Sequence, residues 1–205
     1  MTITISQDFS HSINIKNSRF ICQMKRVQNE EEAVDFLRSV KKEHYKANHN
    51  CSAFILGEHQ EVQRASDDGE PSGTAGVPIL EVLKKREITD ICVVVTRYFG
   101  GIKLGAGGLI RAYAGSVSQA LDSVGLVKIV DELEIILTLD YSLFDSLTSW
   151  LTVPIYEQTF YENIKVKVFI DEATVPIFFK ELLDKFNGKI TAENGIRRLA
   201  AVSVG

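Results

Sequence analysis

At 205 residues, 45% hydrophobic and 24% charged, the chain has the makeup of one large or two small folded domains, not of a disordered or fibrous protein. A formal charge of −4 excludes a generally basic nucleic-acid coat, and no apolar run approaches the roughly 20 residues that span a bilayer. The charge is uneven: residues 1–128 hold 16 Lys and Arg against 15 Asp and Glu, while residues 129–205 hold 7 against 12, so the first part is better suited to meet a polyanion.

The N-terminus MTITISQDFS lacks the charged-then-apolar form of a signal peptide. Cys22, Cys51 and Cys92 are odd in number, widely spaced and free of any C-x-x-C pair. Buried, reduced thiols in a cytoplasmic protein are the expectation. Residues 10–27 read as a hairpin turning at Lys16-Asn17-Ser18. Asn29 with Glu32 resembles a capping box, and Ala33, Phe36, Leu37 and Val40 share one face, which predicts a helix over about 30–45. CSAFILG reads as a strand, with residues 61–66 pairing across a turn at Glu58-His59. His49 and Cys51 are two apart and point the same way on a strand. A Cys–His nucleophile there has no third, orienting residue nearby, so the pair carries little weight.

SDDGEPSGTAGVPIL (residues 66–80) is the first unusual stretch. Gly69, Pro71, Gly73 and Gly76 impose turns, and Pro78 suits the first turn of a helix. Ser72, Gly73 and Thr74 would cap that helix or bond a phosphate. Asp67, Asp68 and Glu70 are crowded carboxylates; an acidic surface turn is the plain reading and a magnesium site the functional one, since hard cations take oxygen ligands.

ICVVVTRYFGGIKLGAGGLIRAYAG (residues 91–115) is the second. Residues 91–95 form a β-branched run, the pattern of a strand buried on both faces. Gly100, Gly101, Gly105, Gly107 and Gly108 follow, and residues 109–121 have helical spacing. A glycine loop feeding a helix start leaves backbone N–H groups free to meet an anion. Arg97, Lys103 and Arg111 add charge; Tyr98, Phe99 and Tyr113 add aromatic faces. Neither a Walker A loop nor a dinucleotide fingerprint fits, because Gly108 is followed by Leu109 and Ile110. The alternative is that the glycines only let helix and sheet pack closely.

From about residue 130 the pattern is regular: a strand in ELEIILTLDY, a helix over 142–151, strands in IYEQTFYEN and IKVKVFID, a helix over 176–186, and a last strand interrupted at Asn194-Gly195. That order is βαββαβ, the ferredoxin-like unit. The fold class expected is therefore α+β, with domains over 1–130 and 131–205.

The two glycine stretches, with SRFIC at 18–22 and HNCSAF at 49–54, resemble the signature blocks of the YigZ/Impact family. The resemblance covers about residues 18–122, and the remainder looks like the small C-terminal domain of the bacterial members. It implies an N-terminal ribosomal-protein-like βαβ domain, as in domain IV of elongation factor G, and a ferredoxin-like C-terminal one. Eukaryotic members regulate translation through the starvation-response kinase pathway. Nucleic-acid binding is the usual suggestion for bacterial members.

Taken together, the expectation is a non-enzymatic binding protein, without a membrane role and with no cofactor beyond a possible Mg2+. It would hold RNA, a ribosome-associated partner or another phosphate-rich ligand. The candidate ligand residues are Ser72, Gly73, Thr74, Arg97, Tyr98, Gly100, Gly101, Lys103, Gly105, Gly107, Gly108 and Arg111, and the candidate metal residues are Asp67, Asp68 and Glu70. The rival readings are a magnesium-dependent enzyme acting on a phosphate-containing small molecule and a protein–protein competitor in translational control.

Overall fold

The computed structural model describes residues 2–204. The chain divides into two compact units, one of Met1–Ile129 with Ala201–Gly205 and one of Val130–Ala200. The class is α+β.

The first unit is built on a five-stranded antiparallel sheet of β2 (Phe9–Ile15), β3 (Ser18–Arg26), β6 (Ile91–Tyr98), β4 (His49–Leu56) and β5 (Val62–Ser66), in that order across the sheet. Ile15 pairs with Ser18, and Lys16 and Asn17 both have positive φ, the signature of a two-residue hairpin whose twist matches its strands. β6 is central, and its side chains alternate. Ile91, Val93 and Val95 join the core under α2 (Gly76–Lys85) and α3 (Ala106–Val124). Cys92 and Val94 join the cluster under α1 (Glu30–Glu43). Helices on both faces explain why the run is apolar without interruption.

The capping box at α1 is real. Asn29 Oδ1 accepts from the Glu32 amide, and Glu32 reaches back to the Gln28 amide, one residue before the cap. Pro78 lies in the first turn of α2, which starts at Gly76, while α3 starts at Ala106, earlier than the helical spacing from residue 109 suggests. A further strand, β1 (Thr2–Ile5), was not anticipated; it pairs antiparallel with residues 126–129 of β7 (Leu126–Leu139). Four residues are too few to show a period.

The second unit contains the rest of β7, a 3-10 turn at Tyr141–Leu143, α4 (Phe144–Trp150), β8 (Ile155–Phe160), β9 (Ile164–Asp171), a 3-10 turn at Glu172–Thr174, α5 (Val175–Phe186) and β10 (Thr191–Ser203) as far as Ala200. The sheet order is β10-β7-β9-β8, the ferredoxin-like arrangement. Trp150 packs on Phe178 and Phe186, so the aromatic cluster is core. The expected break at Asn194-Gly195 is absent, and β10 runs through it. The glycine is there because the Glu134 carboxylate lies where its Cβ would be, at 1.8 Å. No helix among the described residues is long and apolar enough to cross a membrane.

Candidate functional site

The last two residues of β6, Arg97 and Tyr98, are sent to opposite faces by strand alternation. Arg97 turns toward α3. Its Nη1 donates to Glu70 Oε1 at 2.6 Å, and its guanidinium sits between the rings of Phe20 and Phe99. Tyr98 turns toward α1, where its hydroxyl lies 3.0 Å from His44 Nδ1. Tyr98 is therefore a packing residue and takes no part in the cavity described below.

Behind the Arg97–Glu70 pair lies a buried polar chain. The Tyr113 hydroxyl donates to Glu70 Oε1 at 2.8 Å, and Cys51 Sγ lies 3.3 Å from that hydroxyl. Burial, reinforced by Cys51 and the Glu70 carboxylate, pushes the Tyr113 hydroxyl well above its ordinary range, so it remains a donor. Burial also pushes the Cys51 thiol up to about 12, despite its contact with Tyr113. His49 does not activate it: His49 Nδ1 is 2.9 Å from the Asp68 carbonyl. A thiol this far above neutrality is not a nucleophile.

The loop before α2 caps itself. Asp67 accepts from the amides of Gly73, Ala75 and Gly76 at 2.8–3.0 Å. Partial burial raises the Asp67 carboxyl, but the three backbone donors outweigh that and leave it below its ordinary value. The N–H groups expected to hold a phosphate are thus filled by the chain's own carboxylate. Thr74 is buried with its hydroxyl donating to the Pro71 carbonyl. Ser72 is exposed and does not line the cavity.

The acidic trio does not form a metal cluster either. Asp68 accepts from Lys41 and from the Asn50 amide, each at 2.6 Å. Glu70 is committed to Arg97 and Tyr113. Each of the three carboxylates thus faces its own structural donors. Among the described residues no group of three His, Cys, Asp or Glu is placed to hold a metal ion.

The loop before α3 is different. Gly105 has φ +71° and ψ 167°, and no side chain caps the helix. The first intrahelical bond runs from the Leu109 amide to the Gly105 carbonyl, so the amides of Ala106, Gly107 and Gly108 lack helical partners. Gly105 and Ala106 border an open cavity of about 420 Å³, with Lys103, Leu104 and Leu109 beside them and Glu70, Pro71, Asn48, His49, Arg97 and Phe99 around the rest. The two glycine stretches therefore meet at one cavity. Lys103 is exposed, and Phe99 is 45% exposed at the rim.

Other expected site residues lie outside the cavity lining. Gly100 packs against the β2–β3 turn, since a Cβ there would lie 2.0 Å from the Asn17 carbonyl oxygen. Gly101 has φ +84° in open space. Gly107 and Gly108 lie in the first turn of α3, and the exposed Arg111 follows one turn on, outside the cavity lining. Asn48 was not anticipated; its Oδ1 accepts from the Phe99 amide at 2.8 Å, and His49 lines the cavity without activating Cys51. His49 opens HNCSAF and Asn48 immediately precedes it, which was the available signal.

Residues 16–121 match the Impact N-terminal domain. The chain belongs to the IMPACT family. It is 45% identical over 195 residues to the IMPACT family member YvyE of Bacillus subtilis, covering 94% of this chain and 90% of that one. It is 35% identical to YigZ of Escherichia coli, covering 86% and 89%. A crystal structure of a hypothetical protein superposes with a TM-score of 0.62 at 32% identity, covering 93% of this chain and 95% of the other. The cavity lining from Asn48 to Leu109 lies wholly within the IMPACT family match.

Proposed function

We propose that this IMPACT family protein is a non-enzymatic binding protein that holds a phosphate-rich partner, RNA in the first place, at the N-terminus of α3. The translation link of the eukaryotic family members gives the setting. One observation carries the reading: of the two glycine loops at the cavity, one is closed by Asp67 and the other presents uncapped amides beside Lys103. Uncapped amides and the helix dipole favour an anion. Phe99 offers a base an exposed ring within the same lining, as single-strand binders do. The enzyme reading loses its support because the carboxylates that would carry a metal are engaged elsewhere.

The test is a salt titration of single-stranded RNA binding to wild type and Lys103→Ala. Binding that weakens with salt, with a slope reduced by roughly 0.7 in the variant, is expected. No binding at low salt overturns the proposal.

A further inference from the structure

Glu70 and His49 bring to the cavity two acceptor atoms that the fold leaves without a donor. Glu70 uses Oε1 for both Arg97 and Tyr113. Its Oε2 has no hydrogen bond among the described residues, and His49 Nε2 lies 3.8 Å from it. The tautomer of His49 is set by its other nitrogen. Nδ1 lies 2.9 Å from the Asp68 carbonyl, and a carbonyl only accepts, so Nδ1 carries the proton. Neutral His49 therefore presents a lone pair on Nε2, next to a carboxylate oxygen. Both residues line the cavity.

A separation of 3.8 Å is too long for a hydrogen bond between the two atoms. It suits the base of a triangle whose apex is an oxygen within about 2.8 Å of each. A hydroxyl meets both atoms at that apex only when Nε2 is protonated, because it has a single proton to donate. It then donates to the carboxylate and accepts from Nε2. A phosphate does not fit, since it would place negative charge against Glu70. The cavity is thus polarised: amides and Lys103 at the α3 end favour an anion, and Glu70 with His49 favours a hydroxyl. Arg97, buried against Glu70, has an Nε without a partner, so the guanidinium is held by one ion pair and two rings and can hold the carboxylate in place without closing its outer oxygen.

We propose that Glu70 Oε2 and His49 Nε2 take the 2′-hydroxyl of a ribonucleotide whose phosphate sits at the α3 N-terminus, so that the site selects RNA over DNA. This rests on the phosphate reading above. The 2′-hydroxyl is the group that distinguishes the two nucleic acids, and a carboxylate left without its hydroxyl donor in the complex disfavours the deoxy ligand.

The experiment compares a five-nucleotide oligouridylate with its oligodeoxyuridylate counterpart, so that sugar is the only difference. Fluorescence anisotropy at low salt is read for wild type, Glu70→Gln and His49→Phe, each first checked for a native melting transition. Wild type should bind the ribo strand tighter by roughly ten- to a hundredfold, the worth of one bond to a charged group. Each variant should bring the ribo-to-deoxy ratio toward one. Glu70→Gln removes the charge that holds Arg97 and can fail to fold; His49 is only partly buried, so His49→Phe then carries the test. Equal wild-type affinity for both strands overturns this inference and leaves the phosphate reading intact. An unchanged ratio in folded His49→Phe also overturns it. Binding of neither strand overturns both.

Discussion

Arg97 Nη1 lies 2.6 Å from Glu70 Oε1, and the two side chains are only 6% and 4% exposed. The pair joins β6 to the loop before α2 and forms one wall of the cavity. Removing one partner leaves a buried charge without compensation, which costs about 3–5 kcal/mol. Arg97→Ala and Glu70→Ala should each be strongly destabilised in urea denaturation. The double replacement Arg97→Met with Glu70→Leu should recover much of that loss, because two apolar groups leave no charge behind. Arg97→Ala losing no more stability than Lys103→Ala would contradict this. The same pairing means that Arg97 is not a mobile phosphate contact, so weakened RNA binding in Arg97→Ala is interpretable only beside its melting curve.

Asp67 holds three amides of the α2 start, and its pKa lies below the ordinary carboxylate value. A group with a depressed folded pKa contributes stability above its unfolded pKa, near 3.9, and loses that contribution as pH falls through the folded value. Wild type should therefore lose stability on acidification below about pH 4, and Asp67→Asn should lose less over that interval. Asp67→Ala should cost about 2 kcal/mol at neutral pH, the upper end of the range for a lost helix cap. Parallel pH–stability curves for wild type and Asp67→Asn would refute the assignment.

The order of elements was readable because each has a local cause. Asn29 and Glu32 announce α1, the turn at Lys16-Asn17 sets the hairpin, and the unbroken run 91–95 marks a central strand. The candidate site was only half readable. Glycine spacing located both loops, but it could not show that Asp67 closes one of them, since that depends on a side chain reaching six to nine residues ahead. Nor could it separate Arg97 from Tyr98: both look like ligand residues in RYFGG, and only the strand's facing puts one into the cavity and the other against His44. Glu134 filling the space beside Gly195 is a contact across 61 positions, with no local trace.

All three cysteines are buried and free. Burial raises Cys22 far above its ordinary range and pushes Cys51 and Cys92 up to about 12. Native protein at pH 8 should react slowly with an alkylating reagent, and three equivalents should be consumed once denaturant is added, as counted by intact mass. Rapid labelling of Cys51 in the native state would show that the buried Tyr113 chain opens readily.

Gly105 and Lys103 are two residues apart on the cavity rim, and their substitutions should separate geometry from charge. Nothing lies within 4 Å of a Cβ added at Gly105, so a side chain there meets no neighbour. The obstacle is the backbone. A φ of +71° with ψ near 167° is a region that essentially only glycine adopts, and it costs other residues on the order of 1–3 kcal/mol. Gly105→Ala should thus be destabilised by about that amount, or should turn the peptide and re-aim the amides of Ala106 and Gly107. In either case RNA affinity should fall while the dependence on salt keeps its slope, because no charge has been removed. Lys103→Ala should do the reverse. Lys103 is exposed, so stability should change little, while affinity falls for all sequences alike and the slope flattens by roughly 0.7. Melting curves and salt titrations of the two variants, measured side by side, decide it. If Gly105→Ala flattens the slope as Lys103→Ala does, or if both variants bind RNA as wild type does, the α3 N-terminus is not the phosphate site.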